Sequence, residues 1–404
     1  MSAKFDVLVI GAGPSGSTVA SRLAAAGLAT GVLEEHAVIG EPVDCTGVIG
    51  AEACKRFGIP ADVVVGSIDA VTVHAPGGPE ATYRSSEPMA YIIDRAEFDR
   101  RIARQAEAAG ARLMLGTRAV AIERNRDGIR VDCQEADGAP HSLSAAVVIL
   151  ACGPKTLFHE RLGMGACSLY WKSAHALLPG DGLPNPQVYL GRAVAPDGFG
   201  WAVPVHGPTE SSVRVGVNSR VDPQGCLQRL CAEKFPHLMS PDGVVQMRSW
   251  VIPLVPPAKT YAERVVAVGD AAGQVKSTSG GGIYFGMLSA ELAAETITEA
   301  FRRGDFRRSG LAAYEERWRA LLGLDLRLGT LFRRLFSRMT DRDMDDLLRT
   351  FQEDRVLSRL NQTVHFDWHR ELIFFLLKHP TLSRILLRRW WDREADPDST
   401  PLPE

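Results

Sequence analysis

Long apolar runs are missing from this 404-residue sequence. A membrane-spanning helix needs roughly 18 such residues in a row, and near the C-terminus the longest stretch is only Leu372 to Leu377. An excess of one charge is missing too. Lys and Arg number 46 against 48 Asp and Glu, a formal net charge of −2. A nucleic-acid binder normally carries a basic excess, so that class is disfavoured. The seven cysteines are scattered and form no C-x-x-C. That argues against a disulfide framework or a zinc site, and for reduced thiols in the cytoplasm. Residues Met1 to Ile10 have neither a basic segment nor a cleavage site, so no secretory signal is expected. The sequence also holds no low-complexity tract, internal repeat, metal-spaced cluster of His, Cys and carboxylates, or G-x-S-x-G turn. What is present is a hydrophobic content of 45%, enough for two or three domains with sizeable cores.

The strongest local signal lies in the first 35 residues. Phe5 to Ile10 is nearly all apolar, as a buried parallel strand requires. Gly11-Ala12-Gly13-Pro14-Ser15-Gly16 follows and fits G-x-G-x-x-G. An alanine-rich helical stretch runs from Ser15 to Ala26 and stops at Gly27. Ala29 to Leu33 is a second strand, ending in Glu34-Glu35. Each residue type has a physical reason. Gly11 permits the tight turn, Gly13 lets backbone approach a pyrophosphate, and Gly16 lets helix and strand pack closely. Pro14 suits a first helical position, where no amide donor is needed. The helix N-terminus offers N–H groups to phosphates. Glu34, 23 residues after Gly11, is placed to accept hydrogen bonds from ribose hydroxyls.

Farther along, Ile93 to Asp99 opens a helix that runs to about Ala109. Arg112 to Leu115, Ala119 to Glu123, Ile129 to Cys133 and Ala145 to Ala151 read as strands. From about Lys155 to Lys259 short alternating strands, prolines and aromatics suggest an antiparallel second domain. Arg264 to Val268 is another buried strand, leading into Gly269-Asp270-Ala271-Ala272-Gly273. Gly280-Gly281-Gly282 then opens a helix from Ile283 to about Arg302. The nucleotide-binding domain is therefore expected to be discontinuous, over 1–60, 91–154 and 262–303. The second domain is expected over 61–90 and 155–261, and a helical region over 304–404.

A nicotinamide dehydrogenase needs only one such fingerprint. A second strand ending in Gly269-Asp270, followed by a glycine-rich helix start, reads as the other half of a flavin site. Asp270 can hold a sugar hydroxyl. The helix end at Gly282 and Ile283 can set positive dipole at the flavin N1/O2 edge, which gains negative charge on reduction.

Together these motifs resemble the geranylgeranyl reductase family of FAD-dependent oxidoreductases. The likeness rests on the 11–17 glycine turn, Pro42-Val43-Asp44-Cys45-Thr46-Gly47 and Arg95 before Phe98-Asp99. It rests also on Phe199-Gly200-Trp201-Ala202-Val203-Pro204, the 269–283 segment and Tyr314-Glu315-Glu316-Arg317-Trp318. The resemblance implies an α/β (α+β) fold. It comprises a Rossmann-like FAD-binding domain of the p-hydroxybenzoate hydroxylase type, an antiparallel substrate domain and a C-terminal helical region. It implies FAD contacts at Ser15, Glu34, Cys45, Thr46, Arg95, Val120, Asp270, Gly282 and Ile283. It also implies a prenyl pocket at Phe199, Trp201 and Pro204. Cys152 stands where related hydroxylases carry Asp. Phe199 and Val203 replace a Tyr and a Phe of the family pattern, which alters the shape of a lipid pocket but keeps it apolar.

Cys45 follows a proline and precedes a Thr-Gly turn, so it reads as a flavin-side thiol handling a proton, against the alternative of a small core residue. The other six cysteines read as packing, and His36, His74 and His206 as surface or core residues. Trp201 reads either as a wall beside an isoalloxazine or as core. Tyr284 either faces the flavin or packs. The resemblance makes the chain a reductase of prenyl carbon–carbon double bonds, with FAD as cofactor and NADPH or reduced ferredoxin as electron donor. A monooxygenase or halogenase of the same fold is one alternative, and a non-catalytic electron carrier is another. Residues 372–391 are basic, aromatic and free of acidic residues. They suit either contact with a membrane surface, the inner face for a cytoplasmic protein, or a helix packed on its own domain.

Overall fold

The computed structural model describes residues 4–125, 127–180, 182–206, 211–239, 246–353, 356 and 365–388. It divides into two compact units. The first comprises Met1–Val43, Arg95–Leu169 and Pro253–Leu326.

This first unit is built on an eight-stranded sheet. Strand Lys4–Ile10 lies between Thr30–Leu33 and Pro140–Leu150, and all three run parallel. Val265–Ala267 and Arg112–Met114 extend the parallel core on either side. Val7, Leu8 and Val9 are completely buried, because parallel strands are covered on both faces. Strand Pro140–Leu150 shows the transition within one element. Its first half alternates in burial and pairs antiparallel with Gly128–Glu135. Val147 to Leu150 are then buried without a break, where the strand enters the middle of the sheet. Helix Pro14–Ala25 returns the chain from the first strand to the second. It packs against helices Arg95–Ala108 and Ile283–Arg303.

The second unit comprises Asp44–Asp94, Tyr170–Ile252 and Arg327–Glu404. Its seven-stranded sheet is mostly antiparallel, with one parallel pair between Gln187–Tyr189 and Ala70–His74. Alternation gives the sheet two distinct faces. Ala174, Val215 and Ala202 point to one face and share a core with Leu227 and Leu230 of helix Pro223–Lys234. Asp222 caps that helix by accepting from Gly225 N at 3.0 Å. Trp201 and Val203 point to the other face, in a core with Ile68, Ala90 and Ile92.

Several expected boundaries move: residues 155–169 and 253–261, expected in the second domain, group with the first unit, and residues 91–94 group with the second. Residues 44–60, expected with the nucleotide-binding segments, group instead with the second unit. The reason is strand pairing: Val48–Gly50 pairs with Ala90–Ile93, which also pairs with Val64–Ile68. The helical region expected over 304–404 is also divided. Helix Arg308–Arg338 contributes its residues up to Leu326 to the first unit and the remainder to the second. In the first unit Tyr314 and Trp318 of that helix are fully buried. In the second unit, Leu376 and Leu382 of the last helices share a core with Met344 and Leu347.

Candidate flavin site

In the first unit the glycine turn closes without a side chain in the way. Gly11 has a φ of 105°, a conformation that only glycine adopts readily. A methyl group at Gly11 would overlap the Ala151 carbonyl oxygen, and one at Gly16 would overlap the Gly11 carbonyl oxygen. Gly13 differs. Its φ is −66°, and a Cβ there would meet nothing within 4 Å. Open space beside the uncapped start of helix Pro14–Ala25 is what a bound pyrophosphate requires. Glu34 Oε2 accepts from Ala12 N at 2.9 Å, and its Oε1 lies 2.6 Å from His36 Nδ1. The carboxylate is therefore held against the same turn.

The second glycine-rich segment meets the first directly. Side chains added at Gly269 or Gly286 would run into Ser15 Oγ or Cβ, so these three residues are in backbone-close contact. Asp270 sits in the tight turn Gly269–Ala272. Among the described residues nothing donates a hydrogen bond to its carboxylate, which is half-buried. Burial pushes its pKa up to about 6, against the opposing pull of Arg95. Arg95 is itself aimed by a bidentate pair with Asp99, both bonds being 2.9 Å. A Cβ at Gly282, which begins helix Ile283–Arg303, would come within 2.7 Å of Asp270 Oδ1. Tyr284 is buried in the first turn of that helix. Val120 is 46% exposed on strand Thr117–Asn125.

The turn has a polar support that no sequence motif announces. Gln274 Oε1 accepts from Gly269 N at 2.8 Å. Its amide donates to Tyr314 Oη at 2.9 Å, and Tyr314 donates to the Ala267 carbonyl at 2.7 Å. Glu315 accepts from Thr260 N, and Trp318 Nε1 donates to Thr260 Oγ1. In the sequence the Tyr-Glu-Glu-Arg-Trp pattern is legible only as a likeness, and its structural role is this buried network.

Cys45, Thr46, Phe199, Trp201 and Pro204 belong to the second unit. The Arg214 guanidinium donates to the carbonyls of Cys45 at 3.1 Å and Thr46 at 2.7 Å. Gly47 N donates to Cys45 Sγ at 3.4 Å. Arg214 stands in no motif, so sequence reasoning misses it. Its position opposite Val203 puts it on the Trp201 face of the sheet. His175 and Trp201 both pair with Gly216, and their ring centroids are 6.4 Å apart. A side chain at Gly216 would overlap the indole of Trp201. Phe199 and Trp201 share one face of the sheet, whereas Pro204 falls one residue out of step and lies with Ala202 on the face that packs on helix Pro223–Lys234. Period-two alternation along 199–204 was the available signal. Burial pushes the thiols of Cys54, Cys133, Cys152 and Cys231 up to about 11, which makes them poor nucleophiles.

Residues 68–364 match the tryptophan halogenase family model. A digeranylgeranylglycerophospholipid reductase of Methanosphaerula palustris is 30% identical over 395 residues, covering 94% of this chain and 98% of that protein. The chain belongs to the geranylgeranyl reductase family. It is an FAD-dependent oxidoreductase, and it also belongs to the tryptophan halogenase family that this model describes. A geranylgeranyl bacteriochlorophyll reductase-like structure from Thermoplasma acidophilum superposes with a TM-score of 0.82 at 20% identity, covering 96% of this chain and 99% of that one. A flavin-dependent brominase superposes with a TM-score of 0.70 at 17% identity, covering 92% and 97%. These two likenesses establish the shared fold. The residues of this reductase-family chain fit FAD, because the open space at Gly13 and the acceptor capacity of Asp270 are both accounted for by one dinucleotide.

Two outcomes follow. Gly13→Val should fold normally, since a Cβ there meets no protein atom within 4 Å, yet lose FAD binding. Gly16→Val should lose folded protein as well, and thermal melts beside FAD titration separate the two. FAD affinity should also depend on pH through Asp270. Sugar hydroxyls favour the carboxylate, whose pKa without ligand is raised to about 6. Affinity should therefore plateau above that pH and fall below it, by at most about tenfold per pH unit. Asp270→Asn should flatten this profile in a fluorescence titration.

Proposed function

We propose that this chain saturates carbon–carbon double bonds in the prenyl chains of a lipid, as the name of its Methanosphaerula relative indicates for that protein. The observation that carries the reading is the near full-length match to that reductase. Bound FAD supplies, once reduced, the hydride for one alkene carbon. The protein's own residues do the rest. The helix starts at Pro14 and Ile283 set positive dipole toward the cofactor, and Asp270 and Glu34 hold its sugar hydroxyls. Phe199 and Trp201 offer an apolar wall that keeps water from the reacting chain. Cys45, held by Arg214, supplies the proton for the second carbon, with Tyr284 as the second candidate. Electrons come from NADPH or reduced ferredoxin docking transiently, because the sequence has no second dinucleotide fingerprint. The halogenase family match favours halogenation as the second reading. Phe199 stands against it: Trp201-Ala202-Val203-Pro204 is distantly like a halogenase's tryptophan motif, but one of that motif's two tryptophans is Phe199 here.

We further propose contact with a membrane surface. No helix among the described residues is long and apolar enough to cross a membrane. Ile373 and Leu376 of helix Arg370–Lys378 turn inward, but Phe374 and Leu387 are 40% and 43% exposed, on helices that also carry exposed Lys378 and Arg384. Trp390 and Trp391 lie outside the described residues.

Incubation with reduced flavin and a polyprenyl lipid should give a product heavier by two hydrogens per reduced bond. Gain of an oxygen or a halogen in the mass spectrum would instead support the alternative chemistry. Cys45→Ser should leave flavin reduction near normal and slow its reoxidation by the prenyl substrate, since a hydroxyl is far less acidic than a thiol. Matching rates in both half-reactions would reduce Cys45 to packing. Sedimentation with anionic vesicles should fall in a Phe374→Glu, Leu387→Glu protein, and equal sedimentation would remove the surface contact.

A further inference from the structure

His159 is completely buried and belongs to no site assigned above. It lies in the loop after strand Pro140–Leu150, among Phe158, Leu162 and Met164. Those three share a core with Ala271 and Ala272. Its Nε2 lies 2.7 Å from the Ala271 carbonyl oxygen, while its Nδ1 is buried without a hydrogen-bond partner. Burial lowers its pKa against the opposing pull of the Ala271 and Thr156 carbonyls, so the ring is neutral near pH 7. A neutral ring has one N–H. The short approach to a carbonyl puts that hydrogen on Nε2, and Nδ1 keeps an unsatisfied lone pair. An unsatisfied buried nitrogen is destabilising. In apolar surroundings a leucine would avoid that penalty, so packing alone does not account for a histidine here. What the imidazole supplies is the bond to Ala271.

Ala271 follows Asp270 directly. The turn is held on one side by Gln274, through Gly269 N at 2.8 Å and through its own N–H to the Gly269 carbonyl at 3.1 Å. His159 holds the other side. The His159 loop is itself rigid, since Met164 N donates to the His159 carbonyl at 2.9 Å and Lys259 N to the Met164 carbonyl at 3.0 Å.

We propose that His159 is a positioning residue of the FAD site: its Nε2–H fixes the Ala271 carbonyl and thereby sets the direction in which Asp270 presents its carboxylate. This rests on the reading that Asp270 holds a sugar hydroxyl of FAD. Glutamine carries its amide nitrogen as many bonds from Cα as the Nε2 of histidine, whereas asparagine falls one carbon short.

The test is FAD affinity of the full-length apoprotein, measured by flavin fluorescence, with thermal melts of the same samples. His159→Leu and His159→Asn should weaken FAD about tenfold, and His159→Gln should stay within about threefold of wild type. His159→Leu should add no further loss in an Asp270→Ala background, because it acts through that carboxylate. Asp270→Ala with unchanged affinity would overturn the sugar contact, and the His159 assignment with it. Weakened Asp270→Ala beside an unaltered His159→Leu would overturn His159 alone. So would losses that simply add in the double variant, or equal affinities for the Gln and Asn variants. If His159→Leu does not fold, the contrast between the Gln and Asn variants decides the matter in its place.

Discussion

The first unit depends on one close approach. Helix Pro14–Ala25 begins against the end of strand Lys4–Ile10 with no side chain between them, and a methyl at Gly11 or Gly16 would overlap a backbone carbonyl oxygen. That contact lets the helix N-terminus stand at the end of the parallel sheet, where a pyrophosphate gains most from the dipole and the free N–H groups. Ser15, in the first turn of the helix, then fits against Gly269 and Gly286. Two glycine-rich segments some 250 residues apart in sequence are joined through backbone rather than through long side chains. The cofactor site has little slack as a result.

The segment bearing Asp270 is supported by buried groups bonded to one another and to backbone. Tyr314, Gln274, Trp318, Thr260 and Glu315 form a buried polar network in which each donor has an acceptor. Such a network is stable only when it is complete, because each unmet group in the interior is costly. Its effect is to hold a short, glycine-flanked turn in one shape. Asp270 is the exception to this satisfaction. It is half-buried, and burial pushes its pKa up to about 6 against the opposing pull of Arg95. A carboxylate kept there at such a cost is the kind of group that functional sites carry, and its contact with FAD is our proposal.

The second unit solves a different problem. Its sheet has one face occupied by helix Pro223–Lys234 and another that carries Trp201, His175 and Arg214. Gly216 makes room for the indole, and Arg214 reaches out of the strand to hold the Cys45–Thr46 backbone. Cys45 is half-buried in a loop whose backbone is held by two guanidinium hydrogen bonds.

Much of this is legible along the chain. Apolar runs, glycine spacing and the acid at Glu34 are local signals, since they report turn geometry and burial within about thirty residues. They suffice for the βαβ unit and the second glycine-rich half, and the likeness of the longer motifs carries the FAD-dependent family. Strand pairing is decided elsewhere. Residues 44–60 follow the second unit because Val48–Gly50 finds its hydrogen-bond partner at Ala90–Ile93. Pro204 leaves the Trp201 face because one step along a strand reverses a side chain. Arg214 and His159 carry no motif, and their partners lie 169 and 112 residues away. Local residue order is therefore enough to tell which class of cofactor this chain is built to hold. Which distant donors hold the turns around that cofactor is settled by folding, because a hydrogen bond depends on separation in space and not on separation along the chain.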